Sequence, residues 1–331
     1  MTALPARPRW GIAPEVASLL GFLLLVVVAF AVFAPRFLTG ANLGSIAFQL
    51  PELGLLTLAM LIPLISGGIN LAIVYTANLC GLTLAWVLNT HGGVNAGMGA
   101  FLLGSVLALG VGALSGLGMG LVIAFTGAHP ILVSLSMMIF LRGLGEFLTR
   151  GGDISGFPDF VAPIGHGIVA GIPVPLIIFG AAALAWHVLL SHTRHGFAVY
   201  MVGSNPEAAR YSGINVKRTL VLIYTLSGIM CAIAGILMLS RFNSVRVGHG
   251  EALLLVTVLA CFLGGVDPFG GFGKVAPVVI ALVILQVLSS GLNLRGANQH
   301  LSTAIWGLFL IGVMVIRYLV ARWRPKTRKD S

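Results

Sequence analysis

Of the 331 residues, 58% are hydrophobic and only 8% are charged, with 19 lysines and arginines against 9 aspartates and glutamates, a net charge of +10. An ordinary soluble domain carries about 25% charged residues, so a water-soluble fold is excluded, as is a disordered chain; three cysteines cannot build a disulfide scaffold. The composition is that of an all-α integral membrane protein, read as a single transmembrane domain over residues 1–331.

A membrane-spanning helix needs about 20 predominantly apolar residues, and the chain offers ten such segments. The first, 16–34, follows Arg7 and Arg9 and contains Ala29-Phe30-Ala31, a small-x-small form resembling a signal-peptide cleavage site. Its unbroken apolar run exceeds an ordinary signal core, which predicts a retained span. Segment 44–66 carries Pro51, Glu52 and Pro63, and a kink or break is expected there. Near segment 71–88, Asn70 and Asn78 stand eight apart, a spacing that places both on one helix face, either along a polar path or as glue between helices.

Segment 97–125 repeats small residues at every fourth position: Gly104, Ala108, Gly112, Gly116 and Gly120. Such a stripe lets a neighbouring backbone approach closely and predicts a helix–helix contact. Segment 130–148 contains Arg142 and Glu146, four apart and able to pair. Segments 172–190 and 219–240 flank the largest polar loop. Segment 252–263 is short for a span and precedes a glycine-rich stretch, which predicts a discontinuous or re-entrant piece. Segments 275–291 and 301–320 complete the ten. Gly67-Gly68-Ile69-Asn70 and Gly264-Gly265-Val266-Asp267 form a weak internal echo, each after an apolar run.

With ten spans and the N-terminus inside, 12 of the lysines and arginines fall on the cytoplasmic side and 5 outside, with Arg142 and Arg317 inside helices. This bias places both termini and the loop 191–218 in the cytoplasm. It also accounts for the +10 charge without nucleic acid as a partner. The run from Arg322 to Lys329, within the basic tail 321–331, reads as an anchor against anionic membrane lipid.

Motifs for chemistry are lacking. Gly270 to Lys274 superficially resembles a phosphate loop, but Pro268 replaces its first glycine and Val275 its hydroxyl residue, so there is no Walker A site. The histidines and the lone Cys80, Cys231 and Cys261 show no metal-binding spacing, and no catalytic constellation appears. Neither an enzymatic activity nor a cofactor nor a metal is therefore expected.

The decisive segment is 191–218. Ser204 or Asn205 can cap a short helix at 206–212 with Pro206 at its first position, Glu207 at the positive end of its dipole and Gly213 as its stop. A rigid helix fixed between two spans is a lever that a soluble partner can grip. Glu207-Ala208-Ala209 followed by Gly213 resembles the EAA loop of ABC importer permeases, and Thr193 to Arg218 looks like its form in the ribose-type sugar permeases. Ser66 to Leu71, Leu141 to Leu144 and Leu263 to Gly273 look like further stretches of that family. Asn70 stands where the family commonly has Asp.

The resemblance implies a permease subunit in the bacterial inner membrane, importing a monosaccharide or similar small polar solute. It implies three partners: a cytoplasmic ABC ATPase, a periplasmic substrate-binding protein and a second permease subunit, identical or different. The ATPase contact would fall on Pro206, Glu207, Ala208, Ala209, Arg210 and Gly213. A path for a hydroxyl-rich solute needs polar groups inside the bundle, and Gln49, Asn70, Tyr75, Thr76 and Asn78 are the candidates. The alternative is an ion-coupled secondary transporter, which would want acidic residues at the midplane; Glu52 is the one that fits.

Overall fold

The computed structural model describes residues 14–297 together with 301, 304–309, 311, 312 and 315. Its helices are α1 (Pro14–Phe33), α2 (Gly40–Ile65), α3 (Ile73–Thr90), α4 (Met98–Thr126), α5 (Pro130–Thr149), α6 (Ala162–His166), α7 (Val174–His192), α8 (Arg194–Ser204), α9 (Pro206–Tyr211), α10 (Val216–Phe242), α11 (Leu253–Leu263) and α12 (Val275–Leu294). Eight of these are long and apolar enough to cross a membrane, and α11 is a shorter apolar helix. The final expected span, 301–320, is described only in part. The basic tail 321–331, Arg7, Arg9 and Arg317 lie outside the described residues.

α2 is the axis of the bundle. From Leu50 to Ile65 every residue is buried, and α7, α10, α11 and α12 pack around it. The expected break does not occur: Pro51 and Pro63 both lie inside a continuous α-helix. In a membrane interior, neighbouring helices re-satisfy backbone groups freed by proline; here Ser227 of α10 donates from Oγ at 2.7 Å to the Ala59 carbonyl, the one that Pro63 leaves without an i+4 donor.

The small-residue stripe of α4 faces inward at all five positions, Gly104, Ala108, Gly112, Gly116 and Gly120 being buried. Its partner is α10. A Cβ at Gly116 would stand 2.8 Å from the Tyr224 carbonyl carbon, and one at Gly120 2.8 Å from the Val221 Cα. At the near end Gly104 meets Leu84 and Val87 of α3 instead. Without a hydrophobic effect between helices in lipid, such close backbone packing is what holds them.

Two ends of the bundle differ. One carries α8 and α9. The other carries two small two-stranded antiparallel sheets, β1 (Ile154–Ser155) with the distant β4 (Ser244–Val245), and the hairpin of β2 (Ile168–Val169) and β3 (Ile172–Pro173), with α6 packed on α10 through a Ser240 hydroxyl bond to the Val161 carbonyl. Arg241 lies in the last turn of α10.

The internal echo has a structural counterpart. α2 and α11 both end in a left-handed glycine, Gly67 (φ +83°) and Gly265 (φ +85°), each with the six-residue bond that closes a helix, Gly68 N–H to Pro63 O and Val266 N–H to Cys261 O. Each is followed by an Asx turn: Asn70 Oδ1 accepts from Ala72 N–H at 3.0 Å, and Asp267 Oδ1 from Phe269 N–H at 2.9 Å. α11 itself has 11 residues, so it covers about 16 Å at 1.5 Å per residue, roughly half of the 30 Å hydrocarbon layer.

Candidate functional site

The segment between α7 and α10 folds as two helices rather than one loop with a short helix. α8 was not foreseen, although Thr193 caps it by accepting from Gly196 N–H at 3.1 Å. Gly196 is needed there because a Cβ would strike the Leu190 carbonyl. α9 follows as expected. Asn205, not Ser204, is its cap, with Oδ1 accepting from Ala208 N–H at 3.0 Å. Gly213 ends it in the left-handed region at φ +82°, where Ile214 N–H reaches the Ala209 carbonyl at 3.0 Å.

The faces of α9 divide cleanly. Ala209 is fully buried against its own chain, while Pro206, Glu207, Ala208, Arg210 and Gly213 are exposed. Tyr211, which the sequence reading passed over, is 88% exposed.

Directly behind α9, three chain segments meet backbone to backbone. Gly271 N–H donates to the Ile65 carbonyl at 2.7 Å. A Cβ on Gly203 would collide with that carbonyl and lie 2.6 Å from Gly271 N, and one on Gly270 would lie 2.6 Å from Gly67 N. The Tyr200 hydroxyl of α8 donates to the Gly273 carbonyl at 2.6 Å, and burial holds this phenol above its ordinary pKa. The end of α2, the end of α8 and the loop after α11 are thus one joint.

The five polar residues singled out on α2 and α3 are distributed differently from one another. Asn70 does not share a helix face with Asn78, because α3 begins only at Ile73 and Asn70 lies in the turn before it. It is fully buried, donating to Ser227 Oγ of α10 at 2.9 Å, and Ser227 in turn donates to the Ala59 carbonyl of α2 at 2.7 Å. Gln49 donates to Ser45 and accepts from Gln286 of α12 at 3.0 Å. Thr76 Oγ1 and Asn78 Nδ2 are buried and make no hydrogen bond within the described residues. Asn78 borders a water-sized void of about 10 Å³ with Ser244 and His249.

Tyr75 is different. Its ring lies under the Arg142 guanidinium, 5.9 Å from the centroid, and its buried hydroxyl makes no hydrogen bond within the described residues. Arg142 pairs with Glu146 at 3.0 Å, as the spacing predicts, and also approaches Glu251 to 3.8 Å. A second ion pair was invisible in the sequence. Glu52, midway along α2, meets Arg241 at 2.9 Å, both nearly buried. These partners are 189 residues apart, and only the packing of α2 on α10 brings them together.

Residues 42–317 match the model of a family described as a branched-chain amino acid transport system permease component. The chain belongs to that permease family. The permease is 32% identical over 94% of its length to the autoinducer 2 import system permease protein LsrD of Escherichia coli K12, covering 93% of that protein. It is equally similar to the protein of that name from Shigella flexneri, and 31% identical over 83% of its length to the one from Yersinia enterocolitica, of which it covers 85%. No solved structure matches it. The permease is a multi-pass protein of the bacterial inner membrane and the transmembrane subunit of an ABC importer for a small polar solute. The family works with an ATPase and a binding protein, and the permease component lacks an ATP site of its own.

Proposed function

We propose that this permease imports a monosaccharide or a sugar-like solute, the class to which the relatives' autoinducer 2 belongs. It pairs with a second permease subunit, receives solute from a periplasmic binding protein and is driven through α9 by a cytoplasmic ATPase. Residues 1–331 form one permease domain in this reading. Within it 191–218 is the coupling segment, and 321–331 is a basic anchor on the cytoplasmic leaflet.

The observation that carries the proposal is α9 itself. It is capped by Asn205, stopped by Gly213 and seated through buried Ala209 on its own chain. It presents Glu207, Ala208, Arg210 and Tyr211 outward. The ATPase grips that outward face, while Ala209 keeps the helix fixed to α8 and α10. Gly213 permits the left-handed turn that a side chain with a Cβ strains to make.

Support for a polar path comes from the polar groups held inside the bundle at Gln49, Tyr75, Thr76, Asn78 and Asn70, of which Tyr75, Thr76 and Asn78 keep side-chain atoms without a hydrogen bond among the described residues. Tyr75 stands nearest the charged face, and Asn70 braces α3 against α10.

The test is ATP hydrolysis by the reconstituted complex, with and without loaded binding protein, together with co-purification of the ATPase. Gly213→Val has open space around it, so it disturbs the turn and not the bundle. We expect both Gly213→Val and Tyr211→Ala to lose stimulated hydrolysis and uptake while the permease stays folded. Unchanged stimulation in both variants overturns the coupling role of α9.

A further inference from the structure

α9 has six residues, whereas a stable and specific protein interface takes about 20–30 residues from each side. The surface that continues from α9 must therefore contribute to any partner it holds. On one side that surface is the loop after α11. A Cβ at Gly271 would stand 2.9 Å from the Cα of Ser204, the residue before the Asn205 cap, and one at Gly270 would stand 2.8 Å from the Gly203 carbonyl oxygen. The loop is thus seated on the base of α9.

Its shape is fixed from within. Asp267-Pro268-Phe269-Gly270 places Asp, Pro and Gly at positions that a β-turn favours, and Gly270 N–H closes the turn on the Asp267 carbonyl at 3.1 Å. Asp267 N–H donates to the Phe272 carbonyl at 3.1 Å, and Asp267 Oδ1 accepts from Phe269 N–H at 2.9 Å. Gly270 (φ +90°) and Gly271 (φ +80°) turn the chain back on itself. Gly270 is buried, while Phe269 and Phe272 stand outward, 88% and 66% exposed. Exposed phenylalanines of a membrane protein ordinarily face lipid, but the footing of this loop is elsewhere. Gly271 N–H is bonded to the carbonyl of Ile65, the last residue of α2, and α2 is the buried axis with α7, α10, α11 and α12 around it. The loop leaves the middle of the bundle end, away from the lipid-facing rim. Beside Phe272 lies a groove of about 450 Å³, bordered by His187, Ser191, Tyr200 and Ala276.

We propose that the loop 267–273 is a second docking element for the ATPase, with Phe269 and Phe272 seated in an apolar surface of that protein next to the one that takes α9. The proposal rests on the reading above that α9 faces the ATPase, and it extends the contact to residues outside 191–218. Aromatic side chains bury a large area with few rotatable bonds, and binding energy at interfaces concentrates on them. A loop already held by its own hydrogen bonds loses little freedom on docking. Through Gly271 and Ile65 the ATPase holds the foot of α2 directly, and not by way of α9 alone.

The test uses the assembled complex of permease subunits, ATPase and binding protein in nanodiscs. The photo-crosslinking residue p-benzoylphenylalanine is placed at Phe269, Phe272 or Tyr211, one position at a time. We expect an adduct with the ATPase from each position. Adducts from 269 and 272 with lipid or the second permease subunit alone, while Tyr211 still links to the ATPase, overturn the docking loop and leave α9 standing. ATPase adducts from 269 and 272 without one from Tyr211 uphold the loop and overturn the role of α9 instead. Affinity gives an independent reading, from titration of the ATPase into permease nanodiscs. The double change Phe269→Ala with Phe272→Ala removes only exposed rings, so the bundle stays folded, and we expect it to weaken ATPase binding about tenfold. Unchanged affinity overturns the proposal.

Discussion

The packing of α4 on α10 makes a sharp prediction, because two glycines of one helix meet opposite surroundings. A Cβ added at Gly116 would stand 2.8 Å from the Tyr224 carbonyl carbon and 2.9 Å from the Thr225 Cα, with the Tyr224 carbonyl oxygen nearer still. Ordinary carbon contacts are about 3.5–4.0 Å, so the helices must part by about 1 Å to accept alanine. The neighbours are backbone and cannot rotate away, which puts the overpacking cost near the upper part of the usual range, about 2–3 kcal/mol. Alanine returns about 1 kcal/mol in helix propensity, leaving a net loss of about 1–2 kcal/mol. Gly110 on the same helix has nothing within 4 Å of its Cβ position, so Gly110→Ala collects the propensity gain alone, about 0.5–1 kcal/mol. The protein carries its own reporters: Cys80, Cys231 and Cys261 are free and buried, so a thiol-reactive fluorescent dye follows unfolding on heating. We expect Gly116→Ala to melt below Gly110→Ala by about 2–4 °C, and Gly116→Leu to yield little folded protein. Equal melting of the two alanine variants would refute the argument that this stripe is a backbone contact.

Two further variants probe the interior. Asn70→Leu removes the bond to Ser227 and strands the Ala72 amide, so the same dye assay should show a loss of about 1–3 kcal/mol; Asn70→Asp keeps the turn but loses the donor to Ser227 and should fall between. Unchanged melting with abolished uptake would instead make Asn70 a path residue. Gly203→Ala wedges the joint behind α9, and we expect the ATPase to co-purify while its stimulation by loaded binding protein is lost; preserved stimulation would remove the joint from the coupling route.

What was legible in the sequence is what length and local chemistry dictate. Runs of apolar residues marked every long span among the described residues, because a helix is the local way to satisfy backbone groups in lipid. Asn205, Pro206 and Gly213 marked α9 through capping and turn preferences that act within a few residues. A break at α2 does not occur because that cost assumes a helix without neighbours, and Pro51 and Pro63 sit where α7, α10, α11 and α12 surround the chain. The pairing of Asn70 with Asn78 failed because it extended α3 backwards through a turn. That turn has its own signal in Gly67-Gly68. The ion pair between Glu52 and Arg241 had no sequence signal at all, since it depends on which helices become neighbours.

The likeness between the ends of α2 and α11 gives these parts a common sense. Both helices close on a left-handed glycine and an Asx turn, with one residue fewer between them after α11 than after α2. The end of α2 and the loop that follows α11 meet at the joint where Gly203 holds α8, so the chain after each of the two helices is anchored at a single point beside α9. The joint is built from backbone contacts without side chains to absorb displacement, and close-packed interiors transmit strain rather than dissipate it. In the proposed function a shift of α9 by the ATPase therefore moves the lower ends of α2 and α11 together. α11 spans only half the bilayer, so the displacement at its foot reaches Glu251 at its head across about 16 Å of rigid helix. Away from the joint, Glu52 pairs with Arg241 of α10 at 2.9 Å, and Glu251 approaches Arg142 of α5 to 3.8 Å. In that reading, movement of α2 and α11 against α10 and α5 strains these contacts, and the energy of ATP hydrolysis reaches the bundle without any nucleotide chemistry in this chain.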